Sequence, residues 1–282
     1  MFLPLRDQFL RRDILDLLDN ESDFVPVQEI ADRLEYPSVS AVRSMCDDLR
    51  RKIRDLYSSE EMEFIISVRG GVKLIRHGTN LQLLLEKVTD GSVAVQAALQ
   101  LFFQREFSVL DYCESHYISK STLLRKMKQA NDWISKFGPT MTFANTIKLH
   151  GNEANIRVVH YFFLKLGYET LDSFSGIDNP EYYVELTKKI FEYLKLPYIE
   201  TQAEHVAFWV FVNQHAVENQ FPVKSSDPML KTKEFYHFID KPDFLTQWQT
   251  IDWELFLLFF YAMGYMPINE SVTLKDANPF KC

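Results

Sequence analysis

The chain has 282 residues, of which 46% are hydrophobic and 14% aromatic, and its formal net charge is −8. This length and composition predict a globular protein of two or three domains and exclude a disordered chain. The cysteines Cys46, Cys113 and Cys282 are too few and too scattered for a disulfide framework or a thiolate metal site, which favours the reducing cytoplasm.

The negative charge is concentrated in the second half of the chain. Residues 1–150 carry 20 Lys and Arg against 21 Asp and Glu, whereas residues 151–282 carry 11 against 18. A basic face in the first half therefore remains compatible with nucleic-acid binding. The longest apolar run, residues 255–266, is shorter than the roughly 20 residues that a membrane span needs, so we expect no membrane partner.

The first 78 residues carry a helix-turn-helix pattern, here called the first module. A helix predicted over 6–18, with the apolar stripe Ile14, Leu17 and Leu18, precedes it. A segment over 27–34, with the small residue Ala31 at the helix crossing, a turn over 35–37 and the N-cap Ser38 then introduce a second, basic helix. The buried stripe of that helix is expected to be Val42, Cys46, Leu49 and Ile53.

A hairpin predicted over 63–75 follows as a wing, with Gly70-Gly71 as a two-residue turn because glycine adopts positive backbone angles. The free side of the basic helix and this wing present donors that suit phosphates and base edges. The candidate DNA contacts of the first module are Ser40, Arg43, Ser44, Arg50, Arg69 and Lys73.

The same plan recurs about eighty residues later as the second module. After helices predicted over 80–88 and 93–103, a segment over 109–117 with Cys113 at the crossing and the N-cap Ser119 introduce another basic helix. Its buried stripe is expected to be Leu123, Met127, Ala130 and Ile134. Its candidate DNA contacts are Lys120, Ser121, Thr122, Arg125, Lys126 and Lys128.

A weaker hairpin over 140–149 and a helix over 155–166, with Ile156, Val159, Phe162 and Phe163 on one face, complete the second module. This module has the richer basic helix, whereas Asp47 and Asp48 interrupt that of the first, so we expect the second to dominate specific binding. Base readout is expected near the two helix starts, and Arg50 and Lys73 are expected to contact phosphates.

From residue 168 onward the pattern changes to four apolar-periodic segments separated by Pro or Gly. They span residues 180–194, 200–219, 228–239 and 242–264, which is typical of a helical bundle. The predicted fold class is therefore mainly α. The predicted domains are two winged helix-turn-helix domains over 1–78 and 79–167, an all-α bundle over 168–266, and a linker or tail over 267–282.

Two segments carry a family resemblance: residues 117–128, YISKSTLLRKMK, and residues 149–157, which follow the pattern L-x-G-x-E-x-x-I-R. They resemble the Mga/AtxA-type global regulators of Gram-positive bacteria. The resemblance implies a transcription activator that binds double-stranded promoter DNA and works with RNA polymerase. It also implies that the bundle is a PTS regulation domain, phosphorylated by the phosphocarrier protein of the sugar phosphotransferase system.

Such regulators normally carry a second regulation domain and an EIIB-like domain, so this chain is expected to be a truncated or naturally short form. The resemblance places the phosphorylated histidine at His205, or less favourably at His215. His205 is preferred because it is expected near a helix start, where the dipole favours a phosphate. The Arg usual about two turns later is missing, since Val212 and Asn213 stand there. Either histidine is also compatible with an ordinary place on a helix face.

An enzyme is not expected, because the motifs of nucleophile elbows, P-loops, dinucleotide turns and zinc proteases are all missing from the sequence. We therefore expect no catalytic residue, cofactor or metal. An alternative is a non-catalytic interaction or ligand-sensing protein, with degenerate winged modules as docking surfaces. The aromatic-rich segments 208–211 and 253–261 favour core packing, a pocket or a partner face, and any excess favours a homodimer interface.

Overall fold

The computed structural model describes residues 6–36, 38–68, 70–81, 84, 93–168, 170–236 and 238–266. The protein is mainly α-helical, as predicted. It divides into two compact units, residues 1–94 and 95–282. Every helix within the described ranges is too short or too polar to cross a membrane. The predicted tail over 267–282 and most of the predicted helix over 80–88 lie outside the described residues.

The first unit contains three helices and a two-stranded antiparallel sheet. These elements are α1 (Arg6–Asp19), α2 (Val27–Arg33), α3 (Val39–Leu56), β1 (Met62–Ser67) and β2 (Gly71–Arg76). The predicted stripe of α3 is confirmed, because Val42, Cys46, Leu49 and Ile53 are all fully buried. In α1 the buried residues are Leu10, Ile14, Leu15 and Leu18. Leu17, which the prediction placed in that stripe, only packs at the edge of the core.

The predicted turn of the first wing is wrong by one residue. Ser67 pairs with Gly71, so the loop is 68–70 and Gly71 already belongs to β2. The backbone of Val25 forms a bridge with Val72 through two hydrogen bonds of 2.8 Å. A Cβ on Gly71, where φ is +98°, would lie 2.2 Å from the carbonyl oxygen of Val25. Glycine is therefore required here for close backbone approach as well as for its φ.

The second unit begins with a module that has its own three-stranded sheet. Its elements are α4 (Val93–Gln104), β3 (Glu106–Ser108), α5 (Val109–Ser115), α6 (Lys120–Ile134), a 3-10 turn (Ser135–Phe137), β4 (Thr140–Phe143) and β5 (Thr146–His150). The strand order is β3-β5-β4, antiparallel throughout. The sequence predicted the β4–β5 hairpin, but β3 was missed because three residues are too few to show an alternating pattern.

The rest of the second unit is helical. It contains α7 (Glu153–Gly167), a 3-10 turn (Leu171–Ser173), α8 (Pro180–Tyr193), α9 (Glu200–Glu218), a 3-10 helix (Pro228–Phe235) and α10 (Thr250–Ala262). Two predicted helices differ from the structure: the one over 228–239 is a shorter 3-10 helix, and the one over 242–264 begins only at Thr250. Asp252 makes a capping box with Gln249, which fixes that later start.

The helix α7 joins the second module to the bundle through a buried ionic cluster. Its Arg157 side chain is fully buried and lies 2.8 Å from Asp252 in α10, and it donates hydrogen bonds to Asn213 in α9 and to the Phe221 carbonyl. Glu153, one turn earlier in α7, lies 3.4 Å from Arg157 and 2.7 Å from Arg105. The motif over 149–157 is therefore the structural junction between the second wing and the bundle.

Candidate nucleic-acid interface

The start of α3 presents three of the predicted contacts to solvent. Ser40, Arg43 and Ser44 are exposed on the side away from the buried stripe. Ser38 caps the helix, with its Oγ accepting from the Ala41 amide at 3.3 Å. Within the described residues Arg43 makes no hydrogen bond or ion pair, so its charge is available to a ligand.

Further along α3 the basic side chains are paired with acidic neighbours. Arg50 lies 3.4 Å from Asp47, and Arg51 lies 3.4 Å from Asp48. Asp48 also accepts a hydrogen bond of 3.0 Å from Arg11 in α1. These carboxylates partly neutralise the middle of α3, as the interrupted basic stripe of the sequence predicted. A phosphate near Arg50 would have to compete with Asp47.

The first wing contributes less than predicted. Lys73 is half-buried, and its Nζ lies 5.9 Å from the centre of the Phe24 ring. Arg69, the other predicted contact in this hairpin, lies outside the described residues. Its neighbour Val68 is fully exposed at the tip of the loop.

The helix α6 has a cleaner basic face than α3. The predicted buried stripe of Leu123, Met127, Ala130 and Ile134 is confirmed, and each of these side chains is fully buried. Opposite it, four of the predicted contacts are exposed, namely Lys120, Ser121, Arg125 and Lys128. Thr122 and Lys126 flank this face and are half-buried. No acidic residue precedes Asp132 in α6, so this face carries an excess of positive charge.

The N-terminus of α6 is fixed by its cap. Ser119 accepts a hydrogen bond of 3.1 Å from the Thr122 amide, and the hydroxyl oxygens of the two residues are 2.9 Å apart. The hydroxyl of Thr122 therefore serves the cap in the free protein, and a DNA contact would compete with that bond.

The turns before the two basic helices share an unusual backbone geometry. Glu35 in the first module has φ of +49°, and Tyr117 in the second has φ of +51°. Both residues stand three or two positions before the N-cap serine, in a region of backbone space that favours glycine. The shared geometry supports the interpretation of the two modules as copies of one plan. Tyr117 is also 96% exposed beside the basic face of α6.

The structure places His205 in the second turn of α9, which begins at Glu200. The helix dipole acts mainly within the first turn, so the argument from the dipole is weaker than predicted. Instead, His205 is half-buried against α7, and its Nδ1 lies 3.3 Å from the hydroxyl of Tyr161. Burial, and then the positive charge of Lys165, lower the pKa of His205, which favours a neutral imidazole.

His215 occupies a different environment. Its Nε2 donates to the Phe103 carbonyl at 3.2 Å, and its ring packs edge-on against that of Phe103. Its Nδ1 lies 3.2 Å from the side-chain amide of Asn219. Both ring nitrogens are thus engaged, and burial lowers the pKa of His215. A phosphoryl group would have to displace one of these hydrogen bonds, so the surroundings favour His205.

Two neighbours of His205 were missed by the sequence analysis. Tyr161 and Lys165 are four residues apart in α7 and therefore share a face of that helix. Their spacing in the sequence gives no sign of which helix they face, because the contact with α9 joins positions more than forty residues apart. The sequence therefore carried no signal for this part of the site.

An apolar cavity of about 220 Å³ lies beside Tyr161 in the helical part. Its walls include Val158, Phe162, Trp209 and Phe259. Phe162 was predicted to lie on the buried face of α7, but it is 43% exposed at this cavity, because the core of α7 is formed by Ile156, Val159 and Phe163 instead. The aromatic segments over 208–211 and 253–261 are otherwise mostly buried, in agreement with core packing.

Comparison with known proteins identifies one part of the chain. A family model described as the Mga helix-turn-helix domain matches residues 77–164, which include α5, α6 and the sheet of the second module. No curated protein matches the chain. Among solved structures it is similar to ScpB from Mycobacterium tuberculosis, at 12% identity over 56% of this chain and 94% of that one, with a TM-score of 0.23 that carries no argument. Residues 77–164 therefore form an Mga helix-turn-helix domain, which points to a DNA-binding regulator rather than to an enzyme.

Proposed function

We propose that this protein regulates transcription by binding double-stranded promoter DNA through the second module. The observation that carries the proposal is the face of α6 formed by Lys120, Ser121, Arg125 and Lys128, exposed and free of acidic residues within an Mga helix-turn-helix domain. In this arrangement the N-terminal half of α6 enters the major groove. Lys120, Ser121 and Arg125 read base edges, and Lys126 and Lys128 bind phosphates.

The test is a gel-shift titration of the full chain against promoter fragments, using the double variant Arg125→Ala/Lys128→Ala. Each lost base or phosphate contact costs about 1–3 kcal/mol, so binding is expected to weaken by at least about tenfold. The matched control is Lys188→Ala/Lys189→Ala in α8, which removes the same charge from the bundle. If both double variants bind as the parent does, α6 is not the reading helix.

The first module acts as a supporting contact in this proposal. Arg43, with Ser40 and Ser44, lies at the free start of α3, and Arg50 and Lys73 are placed to contact phosphates once their present partners yield. Loss of Arg43 is expected to weaken binding less than the double substitution in α6. The salt dependence of binding, measured for both variants, separates phosphate contacts from base contacts.

The helical part is proposed to regulate this binding. In the proposal His205 accepts a phosphoryl group from the phosphocarrier protein of the phosphotransferase system, the chain acts as a homodimer, and it activates transcription with RNA polymerase. The support is the partly buried, neutral imidazole of His205 on α9. Phosphopeptide mapping after incubation with the phosphotransferase proteins tests the site, and sedimentation tests the dimer. Label elsewhere, or a monomer at all concentrations, contradicts the respective part.

A second candidate function is ligand sensing, and the apolar cavity beside Tyr161 favours it. A cavity of about 220 Å³ with almost no polar wall suits a small apolar molecule. Thermal unfolding in the presence of small aromatic compounds tests this candidate. A rise in the unfolding temperature that Val158→Trp abolishes supports it, and no rise with any compound contradicts it.

A further inference from the structure

The helix α7 faces His205 with two side chains that suit a phosphoryl group. Tyr161 contacts the Nδ1 of His205 at 3.3 Å. One turn later in α7, the Nζ of Lys165 lies 4.7 Å from the centre of the Phe208 ring, and Phe208 follows His205 by three residues on the same face of α9. The two helices are therefore paired here, with a hydroxyl and a cation on one side and the imidazole on the other.

The two nitrogens of His205 differ in their surroundings. The contact with Tyr161 engages Nδ1, and Nε2 makes no hydrogen bond to any residue that the structure describes. When Nδ1 carries the proton and donates to the Tyr161 oxygen, Nε2 presents a lone pair. The lowered pKa of His205, caused by burial and then by Lys165, keeps this lone pair available at neutral pH. The imidazole is thus poised as a nucleophile at Nε2.

We propose that Tyr161 and Lys165 of α7 complete a phosphoryl-accepting site at Nε2 of His205, with Lys165 supplying the cation that α9 itself does not carry at Val212 or Asn213. The inference rests on the proposed phosphorylation of His205. The lone pair of Nε2 attacks the phosphorus of an N-phosphoryl donor, and a new N–P bond forms. The N–P bond of the donor breaks, and its electron pair stays with the donor nitrogen. The Nδ1 proton remains on His205, held by Tyr161.

The position of this site gives it a route to the second module. A dianionic phosphoryl group attracts Lys165 and therefore acts on α7. The same helix begins three residues after β5 and carries Glu153 and Arg157, which form the buried ionic cluster with α9 and α10. Phosphorylation thus changes the charge balance on the helix that follows the second wing.

The test uses potassium phosphoramidate as the donor and the full chain as the acceptor. Labelling of His205 and the lifetime of its N–P bond are followed by phosphopeptide analysis and ³¹P NMR. A charge-assisted hydrogen bond contributes about 1.5–3 kcal/mol, so Lys165→Met is expected to slow labelling or shorten the lifetime by about tenfold or more. Lys165→Arg is expected to restore most of the effect, which a merely structural role of the lysine would not predict.

Lys189→Met, at an exposed position of α8, is the matched control and is expected to behave as the parent does. Equal labelling and equal lifetime in the parent and in Lys165→Met overturn the inference while leaving His205 as the site. Absence of label from His205 in the parent overturns the phosphorylation proposal and this inference together. The urea midpoint of each variant, read by Trp fluorescence, shows that a loss of label is not a loss of folding.

Discussion

Replacement of Arg157 by Met is expected to destabilise the second unit severely. The Arg157 side chain is fully buried, 2.8 Å from Asp252, and donates to Asn213 at 3.0 Å and to the Phe221 carbonyl at 2.9 Å. Methionine has a similar length and fills most of the space, so the loss is chiefly electrostatic. Removing one partner of a buried pair costs about 3–5 kcal/mol, because the remaining carboxylate is left buried without its counter-charge.

The double variant Arg157→Met/Asp252→Asn separates this cause from a packing defect. Asparagine at 252 keeps an oxygen to accept from the Gln249 amide, which Asp252 now does at 3.1 Å, but it carries no charge. The double variant is therefore expected to recover at least about 1 kcal/mol relative to Arg157→Met alone, although Asn213 still loses its donor. A double variant as unstable as the single one would show that the buried charge is not the cause.

The assay follows from the distribution of tryptophan. All four residues, Trp133, Trp209, Trp248 and Trp253, lie in the second unit, so fluorescence during urea unfolding reports that unit alone. Arg125→Met, at an exposed position, is the matched control, and surface substitutions of this kind usually change stability by less than about 0.5 kcal/mol. If Arg157→Met costs less than about 1 kcal/mol, the reasoning from the buried ionic cluster is refuted.

Three further predictions concern other parts of the chain. His160 is fully buried and its pKa lies well below the ordinary value, so the unfolded chain takes up a proton that the native state refuses; urea midpoints at pH 7.5 and 5.5 should show stability lost below pH 6.5, by up to about 1.4 kcal/mol for this residue at pH 5.5, and a shallower loss in His160→Gln. Gly71→Ala should destabilise the first unit by about 2 kcal/mol or more, since the new Cβ meets the Val25 carbonyl, and normal hydrogen exchange in the β1–β2 hairpin would contradict this. Asp47→Asn should free Arg50 and strengthen DNA binding several-fold at low salt, about one contact's worth, and unchanged gel-shift affinity would count against a role of α3 in DNA binding.

Periodic patterns predicted most of the secondary structure correctly. The buried stripes of α3 and α6, both serine caps and the β4–β5 hairpin follow from local spacing, because a single buried face imposes a regular pattern on each element. The short strand β3 and the 3-10 helix over Pro228–Phe235 did not, since neither is long enough to impose one. Gly71 was recognised as a turn residue, but its contact with Val25 depends on a strand formed elsewhere.

The candidate sites were predictable only in part. Exposed cations on a helix are visible in the sequence because the buried stripe defines the opposite face, which is why Arg125 and Lys128 were found. Buried charges were not, since Lys, Arg, Asp and Glu ordinarily indicate surface, and Arg157 gives no local sign that its partner is Asp252. The same holds for Lys165, whose relation to His205 exists only once α7 and α9 pack together.

The central place of β5 in its sheet limits how the second module can adapt to DNA. Thr146–His150 is bonded to β4 on one side and to β3 on the other, and β3 leads directly into α5. Bending the wing alone would break hydrogen bonds along both edges of this strand. The module is therefore expected to meet the duplex as a single rigid body, so that a fit between wing and groove requires the DNA to change its shape.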